Sequence, residues 1–122
     1  MSKKFALIIE DNTAIGDIYA TTLEMADFTS ELVVDGKLAL ERIDDLTPDL
    51  IILDMNLPQV SGHYIYKRIR SDDRLDGTRV IISTANNLVA QMISRDLDKR
   101  DRLMMKPVGP RQLLEALETL LD

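Results

Sequence analysis

Residues 50–54, Leu-Ile-Ile-Leu-Asp, run four large aliphatic side chains straight into a carboxylate, and Met55-Asn56-Leu57-Pro58 turns the chain directly after them. An apolar run this short, rich in β-branched residues and closed by a Pro-containing turn, predicts a strand buried on both faces. Asp54 then stands at the carboxyl end of a central parallel strand, where open α/β sheets form their ligand crevices. Taken alone, Asp54 reads equally well as a strand terminator or a turn cap. The residues that end the other strands decide between these meanings.

On the amino-terminal side, Phe5 to Ile9 is a second buried-strand run, ending in Glu10-Asp11. Asn12-Thr13 caps a helix on which Ile15, Ile18, Tyr19, Thr22, Leu23 and Ala26 recur at helical spacing. Ser30 to Val34 is a shorter strand, placed nearer an edge because Glu31 interrupts it. Asp35-Gly36 turns the chain, and Leu38 to Asp45 forms a short helix with Ala39, Ile43 and Leu46 inward, stopped by Thr47-Pro48.

On the carboxyl side of Asp54, Ser61-Gly62 closes the loop and His63 to Arg70 forms a helix with Ile65, Tyr66 and Ile69 inward. A polar connection follows over 72–78. Val80-Ile81-Ile82 is a strand ending in Ser83-Thr84. Asn86 or Asn87 caps a helix carrying Leu88 or Val89, Met92, Ile93 and Leu97 on one side. Leu103-Met104-Met105 is the last strand and runs into Lys106-Pro107. Pro110 opens a final helix striped by Leu113, Ala116, Leu117, Leu120 and Leu121. Strands alternating with helices predict right-handed βαβ units. The expected product is a doubly wound α/β fold: a five-stranded parallel sheet of order 2-1-3-4-5 with five helices, a flavodoxin-like three-layer sandwich forming one domain over residues 1–122.

Composition narrows the function classes. A net charge of −6 repels a polyanion and disfavours direct nucleic-acid binding. The absence of cysteine excludes disulfides and thiolate chemistry and fits a cytoplasmic location. The basic start Met1-Ser2-Lys3-Lys4 precedes an apolar run too short for a signal peptide or a membrane span.

Parallel strands point the same way, so Glu10, Asp11, Asp54, Thr84 and Lys106 are expected on one rim. Each has a plainer meaning on its own: acids leading a helix, a β-former ending a strand, a solvated lysine before a turn. Together they are more specific. Three clustered carboxylates repel one another, and a hard divalent cation relieves that repulsion. A carboxylate nucleophile, a cation seat, an ammonium and a hydroxyl suit phosphoryl transfer to an aspartate.

On these residues the chain resembles the response-regulator receiver domains of two-component signalling over essentially its full length. The matching pieces are Ile8-Ile9-Glu10-Asp11-Asn12, Leu53-Asp54-Met55-Asn56-Leu57-Pro58 with Gly62 beyond, Ser83-Thr84-Ala85, and Lys106-Pro107. The resemblance implies that Asp54 is the phosphoacceptor. It implies that Asp11, Asp54 and the backbone carbonyl of Asn56 ligate Mg²⁺ or Mn²⁺, with Glu10 acting through water. Lys106 is then expected to pair with Asp54 or its phosphate. Thr84 is expected to move toward the phosphoryl oxygens, and Asn56 and Asn86 to tune the lifetime of the acyl phosphate. The implied partners are a sensor histidine kinase or histidine phosphotransfer protein and a downstream protein target, with a homodimer as a candidate assembly and no nucleic acid or membrane contacted directly. The implied role is a phosphorelay switch that catalyses only its own phosphorylation and slow dephosphorylation. The surface around the fourth helix, fifth strand and fifth helix is expected to change.

Three positions depart from the family pattern. Leu103 stands where an aromatic switch residue is usual, Lys99-Arg100 replaces a small Gly-Ala turn, and Val108 replaces a Phe. Residues 95–111 hold six basic side chains against three acidic ones, so Arg100 and Arg102 are candidates for meeting an acidic partner, beside the plainer expectation of a solvated surface. His63, the lone histidine, is expected to be solvated, and the methionines to fill core. Two alternatives stay open: a docking module that is never phosphorylated, and a phosphatase of the haloacid dehalogenase type. Against the second, Asn56 stands where those enzymes carry a second Asp as general acid.

Overall fold

A computed structural model describes residues 3–121; Met1, Ser2 and Asp122, the outermost residues of the expected domain, lie outside the described residues. The strands are β1 (Lys4–Ile9), β2 (Phe28–Val33), β3 (Leu50–Asp54), β4 (Arg79–Thr84) and β5 (Arg102–Met105). The helices are α1 (Thr13–Met25), α2 (Gly36–Asp45), α3 (Gly62–Arg70), α4 (Asn87–Asp96) and α5 (Pro110–Leu120), with a single 3₁₀ turn at Asp73–Leu75. All pairings are parallel and the order is β2-β1-β3-β4-β5. The expected doubly wound sheet is therefore the observed one, with β2 at an edge.

Every residue of β3 is buried. Strand side chains alternate between the two faces of a sheet, and here the alternation sorts them into two cores. Leu7, Ile9, Ile51, Leu53, Val80 and Ile82 pack against α2, α3 and α4. Ala6, Ile8, Leu50, Ile52 and Ile81 pack against α1 and α5. The strand order reverses between β1 and β3, which opens a crevice at their carboxyl ends.

The helix starts follow their caps. Asn12, Asp35, Ser61 and Asn86 accept backbone N–H groups through their side chains. Asp35 capping explains why α2 begins at Gly36 and not at Leu38. β2 begins at Phe28, two residues before the expected Ser30, because Asp27 adopts a left-handed conformation (φ 64) that redirects the chain after α1. Ala26, Leu46, Leu97 and Leu121, read from spacing as helical, are all carboxyl caps. The polar connection over 72–78 hides two anchors: Leu75 is fully buried, and the Thr78 hydroxyl donates to the Pro48 carbonyl at 2.6 Å.

Two expectations about helix faces fail. Ile18 and Met92 lie at the correct helical spacing yet are exposed, because a stripe inferred from period alone is wider than the contact the sheet offers. Met25 and Met105 are exposed too, so methionine is only partly core fill; Met55 and Met104 do pack against the two cores.

Gly62 is required where α3 meets β3. A Cβ there would lie 2.7 Å from the Met55 Cα and 2.9 Å from the Asp54 carbonyl oxygen, both backbone atoms that yield little. Gly62→Ala is expected to lower stability by about 1–3 kcal/mol, read as a lower urea midpoint. An unchanged midpoint would show that the loop has slack.

Candidate functional site

The carboxyl rim assembles as the parallel strands require. Asp54 is the last residue of β3 and is buried. Glu10 follows β1, its N–H donating to the Val33 carbonyl at 3.0 Å, so the ladder holds it in register. Lys106 follows β5 and is fixed the same way by its N–H to the Thr84 carbonyl at 2.8 Å. Alternation from Ile8, Ile52 and Met104 puts all three side chains on the α1/α5 face.

Lys106 joins the acids. Its Nζ lies 3.0 Å from Glu10 Oε1 and 3.2 Å from Asp54 Oδ2. The other oxygens are held by backbone: Asn12 N–H donates to Glu10 Oε2 at 3.2 Å, and Asn56 N–H donates to Asp54 Oδ1 at 3.1 Å. Glu10, Asp11 and Asp54 each offer a carboxylate oxygen within 4.8 Å of the others, with Asp11 exposed at the mouth. Hard oxygen donors at this spacing, one pair buried and one solvent-facing, fit a divalent cation that keeps part of its water shell. Glu10, Asp11 and Asp54 would hold it, with the Asn56 carbonyl on the adjoining exposed turn.

The Glu10 carboxyl is pushed up to about 7, first by burial and then by its hydrogen bond and charge contact with Asp54, while Lys106 and the Asn12 N–H oppose the shift. Desolvation, more than mutual repulsion, is thus the main cause. Burial pulls the Lys106 ammonium down, but Glu10 and Asp54 together outweigh it and leave Lys106 above its ordinary value.

Thr84 is at the rim but turned away from the acids. Its Oγ1 accepts the Asn86 N–H at 3.1 Å, and alternation from Ile82 places it on the α4 side. Asn86 caps α4, its side-chain oxygen accepting from Leu88 and Val89 N–H. That oxygen is therefore committed to the helix. An apolar hollow of about 310 Å³, lined by Ile15, Ile18, Tyr19, Ala85, Pro107 and Val108, opens beside Lys106. The Lys106–Pro107 peptide bond is cis.

Other residues depart from expectation. His63 is tied to Asp96 at the end of α4, 3.0 Å from Nε2 to Oδ2. Arg100 is gripped by both Asp98 oxygens at 2.8 and 2.9 Å and is no free cation for a partner. Asp101, counted above as part of a charge run, is buried: it accepts from Tyr66 OH at 2.7 Å and Val80 N–H at 2.8 Å and pairs with Arg70 Nε at 3.1 Å. Leu103 packs against the α2/α3/α4 core. Two further polar side chains were not singled out: Tyr19 and Ser83 are buried on the α1/α5 face behind Glu10. Their only sequence signal was polarity at apolar-phase positions.

Comparison with known proteins agrees with this geometry. A family model described as the response regulator receiver domain matches residues 6–118. The chain is 34% identical to the DNA-binding dual master transcriptional regulator RpaA of Synechocystis, over 94% of this chain and 48% of that protein. It spans about half the length of the curated relatives it matches. It is similar to the structure of a CheY-like response regulator receiver domain protein from Methanospirillum hungatei, with 30% identity and a TM-score of 0.83 over 99% of this chain and 95% of that one. The receiver domain of a sensor histidine kinase from Pseudomonas aeruginosa, described with a magnesium ion coordinated in its active site cleft, shares the fold at 23% identity and a TM-score of 0.83, with 98% of each chain covered.

The Glu10 shift predicts a pH dependence in cation-free solution. The unfolded glutamate loses its proton near 4.5 and the folded one near 7. Between those values the folded chain binds more protons than the unfolded chain, so this group makes stability fall as pH rises. Glu10→Gln should flatten the stability curve across that window relative to the unsubstituted chain, measured by urea unfolding with EDTA present. Parallel curves for the two proteins would refute it.

Proposed function

The chain belongs to the response regulator receiver domain family, and from that premise we propose that Asp54 accepts a phosphoryl group from a partner's phosphohistidine and that the acyl phosphate resets the surface around α4. The carrying observation is Lys106 lying within 3.2 Å of both buried carboxylates, Glu10 and Asp54. An ammonium so placed neutralises the nucleophile's surroundings and then faces the incoming phosphoryl oxygens.

In the transfer, an Asp54 oxygen forms a bond to phosphorus as the phosphorus–nitrogen bond of the donor breaks, and the imidazole leaves with the electron pair and takes up a proton. Asn56 N–H holds Oδ1 and Lys106 holds Oδ2, so the carboxylate presents one geometry to the donor. Mg²⁺ or Mn²⁺ held by Asp11, Asp54 and the Asn56 carbonyl, with Glu10 through water, would neutralise the charge gathered on the phosphoryl oxygens. The hollow beside Lys106 leaves the donor an open approach. Thr84 Oγ1 gives up the Asn86 N–H when it turns toward the new phosphoryl group, which loosens the first turn of α4. Leu103, partly buried and packed against the α2/α3/α4 core, makes this coupling independent of an aromatic flip.

The receiver domain acts in this reading as a switch, and not as a turnover enzyme. Its direct partners are proteins: a sensor histidine kinase or histidine phosphotransfer protein upstream, and a downstream target or second copy. The net charge of −6 disfavours direct contact with nucleic acid. No described helix is long and apolar enough to cross a membrane, and the lack of cysteine suits the cytoplasm.

Incubation with acetyl phosphate and Mg²⁺, followed by intact mass measurement, should give a single phosphate adduct that is absent in Asp54→Asn and in EDTA. An adduct persisting in Asp54→Asn would move the acceptor elsewhere. No adduct would favour a docking module, and rapid steady release of phosphate from an ester would favour a phosphatase.

A further inference from the structure

Behind the Lys106 bridge lies a second polar layer that the transfer chemistry above does not use. Alternation from Ile81 points Ser83 to the α1/α5 face, and β3–β4 register sets it beside Asp54. Tyr19 reaches the same place from α1. Glu10, Tyr19 and Ser83 are exposed by 0%, 2% and 1%. Among the described residues, Glu10 Oε1, Tyr19 OH and Ser83 Oγ are all buried with no hydrogen bond beyond the Lys106 ion pair. The phenol lies close enough to feel the charges of Glu10, Lys106 and Asp54 and the hydroxyl of Ser83. A buried hydroxyl without an acceptor is costly, and two within reach of each other, directly behind a buried ion pair, call for a physical reason.

Lys106 supplies that reason. It is the only side-chain donor to Glu10 Oε1 among the described residues, and it is shared with Asp54. Once a divalent cation at the rim repels the ammonium, or phosphoryl oxygens attract it, Glu10 Oε1 loses its restraint. Among the described residues, Tyr19 OH and Ser83 Oγ are the two buried hydroxyls on that face with no hydrogen-bond partner. We propose that Tyr19 and Ser83 are positioning residues that hold the Glu10 carboxylate in the orientation from which it serves a divalent cation at the rim. This rests on the reading of the rim as a cation-dependent phosphoacceptor site. It assigns the Tyr19 and Ser83 hydroxyls one shared task, carried out through Glu10 and without touching the reacting atoms.

Calorimetric titration with MgCl₂, paired with urea unfolding in EDTA, tests it on the unsubstituted chain, Tyr19→Phe, Ser83→Ala, Ser83→Thr and the double variant Tyr19→Phe/Ser83→Ala. Removing a hydroxyl should weaken Mg²⁺ affinity by about tenfold, as loss of outer-shell partners of metal ligands does, while cation-free stability stays level or rises. The double variant should be less than additive, because both hydroxyls act on one carboxylate. Ser83→Thr, which keeps the hydroxyl, should bind more tightly than Ser83→Ala. Unchanged affinity in Tyr19→Phe and Ser83→Ala beside normal binding by the unsubstituted chain overturns the positioning role alone. So does an affinity loss matched by an equal loss of cation-free stability. No Mg²⁺ binding by the unsubstituted chain overturns this role and the cation-dependent site together.

Discussion

One ammonium, that of Lys106, makes it tolerable to bury Glu10 and Asp54 side by side. Two like charges about 4 Å apart repel by about 4 kcal/mol at the effective dielectric found near protein surfaces, and taking each out of water costs several kcal/mol more. The strands beneath the rim offset this. Leu7, Ile8, Ile9, Leu50 to Leu53 and Val80 to Ile82 are at most 2% exposed, and each such side chain contributes about 1.5–3 kcal/mol on burial. The apolar strands thus hold the carboxylates where solvent would otherwise draw them apart. The residual unfavourable charge appears as the raised Glu10 carboxyl.

The sheet separates chemistry from response. Glu10, Asp54 and Lys106 lie on the face covered by α1 and α5, while Thr84 turns to the face covered by α4. Among the described residues a single hydrogen bond, Asn86 N–H to Thr84 Oγ1, joins the rim to the α4 cap. Helix α4 is the element best suited to answer a change there. Ile93 is its one buried residue, Leu88 and Met92 face solvent, and His63–Asp96 is its sole side-chain hydrogen bond to another helix among the described residues. A helix with so little buried apolar area shifts at low cost.

The opposite end of the molecule is built to stay still. Asp101 binds Tyr66, Arg70 and the Val80 N–H, tying α3 and β4 to the start of β5. Burial raises the Asp101 carboxyl, with Tyr66, Arg70 and the Val80 N–H acting against it. Removing any one partner would strand a buried charge or donor. A shift of α4 of the kind proposed would occur against an anchored frame.

Strand order, the cores of the strands, the caps at Asn12 and Asn86, and the residues reaching the rim were legible in sequence, whereas Asp35 read as a turn and only the fold shows it as a cap. Buried parallel strands announce themselves as unbroken aliphatic runs, and their common direction forces their last residues together. Five features required the folded chain: Lys106 bridging both acids, Thr84 facing α4, Asp101 buried, Arg100 neutralised by Asp98, and Tyr19 with Ser83 lying behind Glu10. The physical reason is range. Local periodicity records which residues leave water, whereas the partner of a buried polar group is set by packing between segments far apart in the chain, so a charge run or a helical tyrosine carries no mark of the neighbour it will meet.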